Sequence, residues 1–329
     1  MKILVANNCV PFVRGGAEHL AEALTEKLNE FGHQAMLVRI PFRWEPPAKI
    51  LESMLACRLM RTPNVDRIIA FKFPAYYLPH DNKFLWLVHQ FRQVYDLWGT
   101  PYQGMVETPE NLAVRRSIIE ADNTYLREAR QIPSEVLYPP LLETKHFRFG
   151  ETGNYIFCAG RITSSKRQYL LVEAMQHTRT NVRLVIAGKS EDTADAQQIA
   201  KLIAQHNLAG RVTVIDRFIS EEEKAAYFAD ALGAAYIPFD EDSYGYVTME
   251  AFYSGKPVIT TTDSGGILQV VRDGETGYVA EPKPAALAAA MDRLFDDPAK
   301  ARNLGRAGYD LIQNMGLTWE HVVSTLTAA

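Results

Sequence analysis

The chain has 329 residues, 47% of them hydrophobic and 22% charged, with a formal net charge of −4. This is an ordinary globular composition, long enough for two domains, and too short of basic residues for a nucleic-acid binder. Cys9, Cys57 and Cys158 lie far apart without metal-ligand spacing, which predicts reduced thiols in a cytoplasmic protein, and no apolar run reaches bilayer-spanning length.

Lys2–Ala6 reads as a buried strand, followed by a glycine loop at Arg14–Glu18. Leu20, Leu24 and Leu28 then mark one face of an amphipathic helix, and Gln34–Ile40 reads as a second strand. This βαβ unit predicts a parallel sheet with a right-handed crossover. Ile50–Met60 is helix-like, with Arg58 and Arg61 at its end. It reads as a core-facing helix with a basic rim, or as a contact with a membrane surface. Asp66–Ala70 and Phe84–Val88 are further strand candidates, and His89 closes the second. Phe91–Trp98 mixes aromatic and polar residues and reads equally as loop packing or as the lining of a groove.

Periodicity breaks over 133–147, where Pro139-Pro140 marks a domain boundary. The first domain is expected at 1–143 and the second at 144–311. Strands then alternate with helices again, with strands at Tyr155–Ala159, Val182–Ala187, Val212–Ile215, Gly233–Ile237 and near Val258. The pattern predicts two doubly wound α/β domains in tandem, with ligands bound beyond strand carboxyl ends, in a cleft between the domains. Glu221–Glu223 reads as an acidic first helical turn. The closing segment 312–329 has a face of Trp319, Val322, Val323 and Leu326 and is expected to cross back onto the first domain.

Two segments carry chemistry. Gly160 ends a strand, and Arg161 and Lys166 follow five residues apart, a pair suited to a dianionic group or simply to solvent. In the second, Asp242 and Glu250 bracket seven residues, with Ser243, Tyr244, Gly245 and Tyr246 at the entry to a short helix. Val247, Glu250, Ala251 and Ser254 would share a face, which puts a carboxylate where a partner is needed. Residues alone leave a ligand contact and a loop hydrogen bond evenly balanced for Glu250. Gly255 and Pro257 stop the helix.

The set Gly160-Arg161-x4-Lys166, Asp242-x7-Glu250, Gly255-Lys-Pro-Val-Ile259 and Gly265-Gly-Ile267 resembles the retaining, nucleotide-sugar-dependent glycosyltransferases of family 4. Gly15-Gly16-Ala-Glu18 is similar to that family's first loop, and Trp319-Glu320 to its crossover helix. The resemblance implies the GT-B architecture, with two Rossmann-like domains facing a cleft. It implies transfer of a hexose from a UDP- or GDP-linked donor to a glycan or lipid-linked acceptor, with no cofactor and no metal.

By that resemblance Arg161 and Lys166 hold the donor diphosphate and stabilise the leaving nucleotide. Glu250 takes the ribose hydroxyls and Asp242 the transferred sugar. Tyr244, Gly245 and Tyr246 lie along sugar and phosphates, with Ser243 beside them, and Gly15 and Gly16 lie near the diphosphate. Phe218 falls where backbone faces the nucleobase, and His89 falls near the sugar or acceptor. The chain departs from the family at Asp242, usually Glu, and at Arg217, often Gly. Asp240-Glu-Asp242 has a metal-binding form but overlaps the sugar contact. The alternatives are an epimerase or phosphorylase on this architecture, or a non-catalytic nucleotide-sugar binder.

Overall fold

A computed structural model describes residues 1–12, 15–125, 135–241 and 243–328. They divide into two compact units, Met1–Leu142 with Leu317–Ala329, and Glu143–Gly316.

The first unit is built from β1 (Lys2–Cys9), α1 (Gly16–Glu30), β2 (Gln34–Pro41), α2 (Ala48–Leu59), β3 (Arg67–Ala70), β4 (Lys83–Leu85) and α3 (Pro109–Tyr125). Its strands run parallel in the order β2-β1-β3-β4. Strand alternation sends Ile3 and Val5 to one face, where Leu20, Leu24 and Leu28 of α1 bury against them. The opposite face carries Ala6, Ile68 and Ala70 against Ile50, Cys57 and Ile118. β4 is shorter than the expected Phe84–Val88. Trp86 leaves the strand to donate its indole N–H to the Leu137 carbonyl, although the Trp86 and Val88 amides still reach Ala70 and Phe71.

Phe91–Trp98 is mainly packing. Phe91 stacks on Phe73, Val94 is fully buried, and the Tyr95 hydroxyl joins those of Tyr76 and Tyr77 on the buried Asp122 carboxylate. In α2, Ile50 and Cys57 face the core, Arg58 lies over the Tyr125 ring, and Leu55 and Leu59 are exposed. Among the described residues no helix is long and apolar enough to cross a membrane.

The second unit contains β5 (Tyr155–Ala159), α4 (Gln168–Ala174), β6 (Arg183–Ala187), α5 (Thr193–Gln205), β7 (Val212–Ile215), α6 (Glu221–Asp230) and β8 (Gly233–Ala235). It continues through α7 (Tyr246–Tyr253), β9 (Val258–Thr261), β10 (Gly277–Ala280), α8 (Pro284–Asp296) and α9 (Pro298–Asn314). The parallel order β10-β9-β8-β5-β6-β7 reverses direction between β5 and β8. Ligands of doubly wound sheets bind at the carboxyl ends flanking such a reversal. Ile156, Ile186, Leu171, Val172, Met291 and Leu294 form the centre of its core.

The last helix, α10 (Trp319–Thr327), belongs to the first unit. Val322, Val323 and Leu326 are buried there, and Trp319 donates to the Leu141 carbonyl at 3.2 Å. Arg67 donates to the carbonyls of Leu326 and Ala328. The expected start of this helix at 312 is too early. Residues 312–314 end α9 in the second unit, and Gly316, at φ 61, separates the two helices.

Candidate functional site

The β5–α4 connection and the β8–α7 connection meet at the sheet reversal. A Cβ added to Gly160 would lie 3.9 Å from Val247 in the first turn of α7. Gly160 is bonded to the Ala187 carbonyl, and Arg161 beyond it is exposed and paired with Glu191 at 3.1 Å. Lys166 stands just before α4, which begins at Gln168. It ends a short 3-10 turn, Ser164–Lys166, capped by Thr163. Its ammonium reaches the Tyr236 hydroxyl and the Glu241 carboxylate, the latter at 2.7 Å. Burial opposes its charge, but Tyr236 and Glu241 outweigh burial and raise its pKa. Arg161 and Lys166 are therefore held by different acids.

Arg167 sets the position of this turn. It adopts a left-handed backbone, φ 57, and is only 2% exposed. Its guanidinium donates to the Ile237 and Pro238 carbonyls, to Thr261 Oγ1, and to both Asp263 oxygens at 2.7 and 2.8 Å. That fork clamps the Lys166 turn to the chain leaving β8 and β9. The sequence reading missed Arg167, because nothing in a surface-like Ser-Ser-Lys-Arg run marks a buried guanidinium.

Gly245 is the N-cap of α7 at φ 68, and a Cβ there would overlap the Tyr236 ring. Glycine is required by both conformation and space. Among the described residues no side chain caps α7, which leaves its first amides and the positive end of its dipole for an anion. Ser243 and Tyr246 are half-buried and Tyr244 is buried; Asp242 lies outside the described residues. Burial, then Glu250, push the Tyr246 phenol above its ordinary range.

Glu250 is 5% exposed and belongs to a helix buried on most sides: Thr248, Met249, Ala251 and Phe252 are buried too, while Val247 is half-buried. Glu250 Oε1 accepts from Lys224 Nζ of α6 at 2.7 Å. Oε2 is buried and, among the described residues, has no hydrogen-bond partner. Burial raises the pKa of Glu250 while Lys224 pulls it back. Lys224 also bonds Glu221, within the acidic first turn of α6 capped by Ser220. Lys224 is the second residue that sequence missed, since its pairing depends on how α6 packs against α7. A buried acceptor without a donor is costly, and a ligand hydroxyl is the group that would satisfy it.

Phe218, on the loop after β7, is 75% exposed. Its carbonyl accepts from Arg217 at 3.1 Å, and Arg217 is also paired with Glu223 at 2.6 Å. The departure from glycine at 217 thus occupies this backbone position.

In the first unit, Gly15 is the N-cap of α1, Gly16 its first residue. The Gly15 amide donates to Glu18 at 2.8 Å, and the other Glu18 oxygen pairs with Lys72 at 2.6 Å. His89 is half-buried, beyond the carboxyl end of β4, with Nδ1 2.6 Å from the Gln90 carbonyl. Among the described residues no group of three His, Cys, Asp or Glu side chains is placed to hold a metal ion.

Two parallel Rossmann-like units with such a site define an α/β protein of the GT-B class. Its fold is that of sucrose-phosphate synthase from Thermosynechococcus elongatus, with TM-score 0.75 at 21% identity, covering 99% of this chain and 97% of that one. The Anabaena HepE structure in complex with UDP and glucose is similar at TM-score 0.70 and 16% identity, with both chains covered 100%. The chain belongs to the family Glycosyl transferases group 1, which matches residues 143–311.

Its relatives include D-inositol 3-phosphate glycosyltransferase from Pseudarthrobacter chlorophenolicus, 32% identical over 168 residues, 49% of this chain and 39% of that protein. The human alpha-1,3/1,6-mannosyltransferase ALG2 is 30% identical over 132 residues, 39% of this chain and 31% of ALG2. In both, the match spans well under half of the relative's length.

Proposed function

We propose that the protein is a retaining glycosyltransferase that moves a hexose from a nucleotide diphosphate sugar to a glycan or lipid-linked acceptor, in polysaccharide or glycoconjugate synthesis. The observation that carries this reading is Glu250 Oε2, a buried acceptor without a partner among the described residues. It lies on the helix whose uncapped amino end adjoins Gly160, at the reversal of the sheet. A ribose diol fits the carboxylate, and a diphosphate fits the amide end of α7. The named relatives are glycosyltransferases, and the HepE structure holds UDP and glucose, which supports a nucleotide-sugar donor, read here as UDP- or GDP-linked.

In this reading Lys166 and Arg161 exchange Glu241 and Glu191 for the diphosphate. As the bond from the anomeric carbon to the phosphate oxygen breaks, they neutralise the charge left on the nucleotide. The acceptor oxygen bonds the same face of that carbon, and its proton passes to the departing phosphate oxygen. Asp242 contacts the sugar, and Gly15, Gly16 and His89 serve the diphosphate and acceptor. Three free cysteines favour a reducing, cytoplasmic setting, and exposed Leu55 and Leu59 on α2 are compatible with peripheral contact at a membrane.

Thermal-shift titration against UDP-, GDP- and ADP-sugars tests the reading, since a ligand that binds the native state raises its melting point. A UDP- or GDP-sugar is expected to raise Tm in wild type and much less in Glu250→Gln. Equal shifts in both proteins would overturn the ribose assignment, and no shift with any sugar nucleotide would overturn the function.

A further inference from the structure

A second concave site lies at the other end of the second sheet. Leu232 and Pro257, which precede β8 and β9, border a cavity of about 100 Å³ whose wall includes Phe149, Lys256, Arg302 and Arg306. Gly160 and Gly245 follow the opposite, carboxyl ends of β5 and β8.

The sequence builds this cavity through two close approaches. The helix α7 ends with Lys256 N–H on the Ala251 carbonyl and Gly255 N–H on the Phe252 carbonyl, a turn that needs the left-handed Gly255, φ 65. A Cβ at Gly255 would press on the Phe149 ring, at 2.9 Å. Gly305 of α9 lies directly on the Gly255 carbonyl, where any Cβ would overlap it. That contact brings Arg302 and Arg306, one turn apart on α9, over the Lys256 segment. Arg306 lies 5.3 Å from the Phe149 ring centre.

Lys256 is 4% exposed, and its ammonium donates to the Glu151 carbonyl at 3.1 Å. An ammonium has three donors, and among the described residues no other acceptor meets it. Among those residues none of Lys256, Arg302 and Arg306 is in an ion pair. Burial pushes Lys256 down to about 8; Asp230 opposes this and Arg302 adds to it. The carboxyl end of α7 borders this cavity and disfavours an anion there, but Lys256, Arg302 and Arg306 all line it. A buried cation outside any ion pair is costly even with Asp230 acting on it, and the donor site does not use this one. The volume is well above the ~10–15 Å³ that admits a single water.

We propose that this cavity binds a phosphate group, free or as a phosphate monoester, with Lys256 at its floor and the two guanidiniums at its mouth. Enclosure of Lys256 favours a small anion free in solution over a headgroup held in a bilayer.

The test titrates the full chain with inorganic phosphate by thermal shift, against sodium chloride of equal ionic strength. Wild type is expected to gain about 2–4 °C near saturation. The double variant R302A/R306A alters exposed side chains and is expected to keep the wild-type Tm without phosphate, keep its response to a sugar nucleotide, and lose the phosphate shift. K256M is expected to lose the shift as well. An equal shift in the double variant, or no shift beyond chloride in wild type, would overturn the proposal. Capture of wild type but not R302A/R306A by phosphatidylcholine vesicles containing phosphatidic acid would support the site with a lipid phosphate as its source. A phosphate response without vesicle capture supports a free ligand.

Discussion

Glu250 is held on one side only. Lys224 takes Oε1, and Oε2 waits, buried, for a hydroxyl. Replacing the carboxylate by an amide keeps the shape and removes the charge. Glu250→Gln is expected to weaken sugar-nucleotide binding about 10–100-fold, the loss that follows a broken buried hydrogen bond to a charged group. Calorimetric titration checks it. The same variant is not expected to lower apo stability at pH 7. The folded pKa of Glu250 is raised above 4.5, so the folded chain binds that proton more tightly than the unfolded chain does. Its contribution to stability is full below the unfolded value and is lost as pH rises through the folded one. Gln lacks that loss, and its apo Tm should match or exceed wild type. Lys224 favours the charged form of Glu250 against burial. Lys224→Met should raise the pKa of Glu250 further and weaken donor binding more at acid than at alkaline pH, and Lys224→Arg should restore binding. An affinity loss in Lys224→Met that is independent of pH would leave Lys224 with a packing role only.

At the level of elements, α7 serves both ends of the sheet. Its amino end needs Gly245, because the backbone is left-handed and the Tyr236 ring fills the space of a Cβ. Gly245→Ala should cost about 1–3 kcal/mol, the range for a strained backbone position. It should also reduce donor binding, because the first amides of α7 move with the displaced turn. Denaturant melts and nucleotide titration read the two effects. Its carboxyl end leads into Lys256, whose folded pKa of about 8 lies below the ordinary 10.5. The unfolded chain binds that proton more tightly, so stability rises with pH between about 8 and 10.5. In phosphate-free buffer, Lys256→Met should exceed wild type in stability most below pH 8, with the gap narrowing towards pH 10. The helix and its glycine stop were legible in spacing and composition. The shortening of β4 was not, because a strand's end is set by its pairing with a neighbour, here β3.

The whole molecule is two units, each with its own parallel sheet and core, and the chain returns to the first unit through α10. A fragment of residues 143–316 contains the second unit entire. It is expected to fold alone and to bind sugar nucleotide, without transferring sugar. Deletion of residues 317–329 removes Val322, Val323 and Leu326 from the first core, at roughly 1.5–3 kcal/mol for each buried side chain. Calorimetry should show the first unit melting earlier and the second unchanged. A single transition shifted as a whole would mean that the units melt cooperatively.

Sequence by itself determined the repeated βα pattern, the break near residue 140, the return of the Trp319 helix and the spacing of Arg161, Lys166 and Glu250. These follow from local periodicity, turn residues and motif order, which a single chain carries in its own text. Only the tertiary structure decided which side chains meet. Lys224 on Glu250, Arg167 on Asp263, Glu241 on Lys166 and Arg302 beside Lys256 join residues far apart in the chain. Such partners are set by strand order and helix packing, and a buried charge cannot be told from a solvated one until the fold removes it from water.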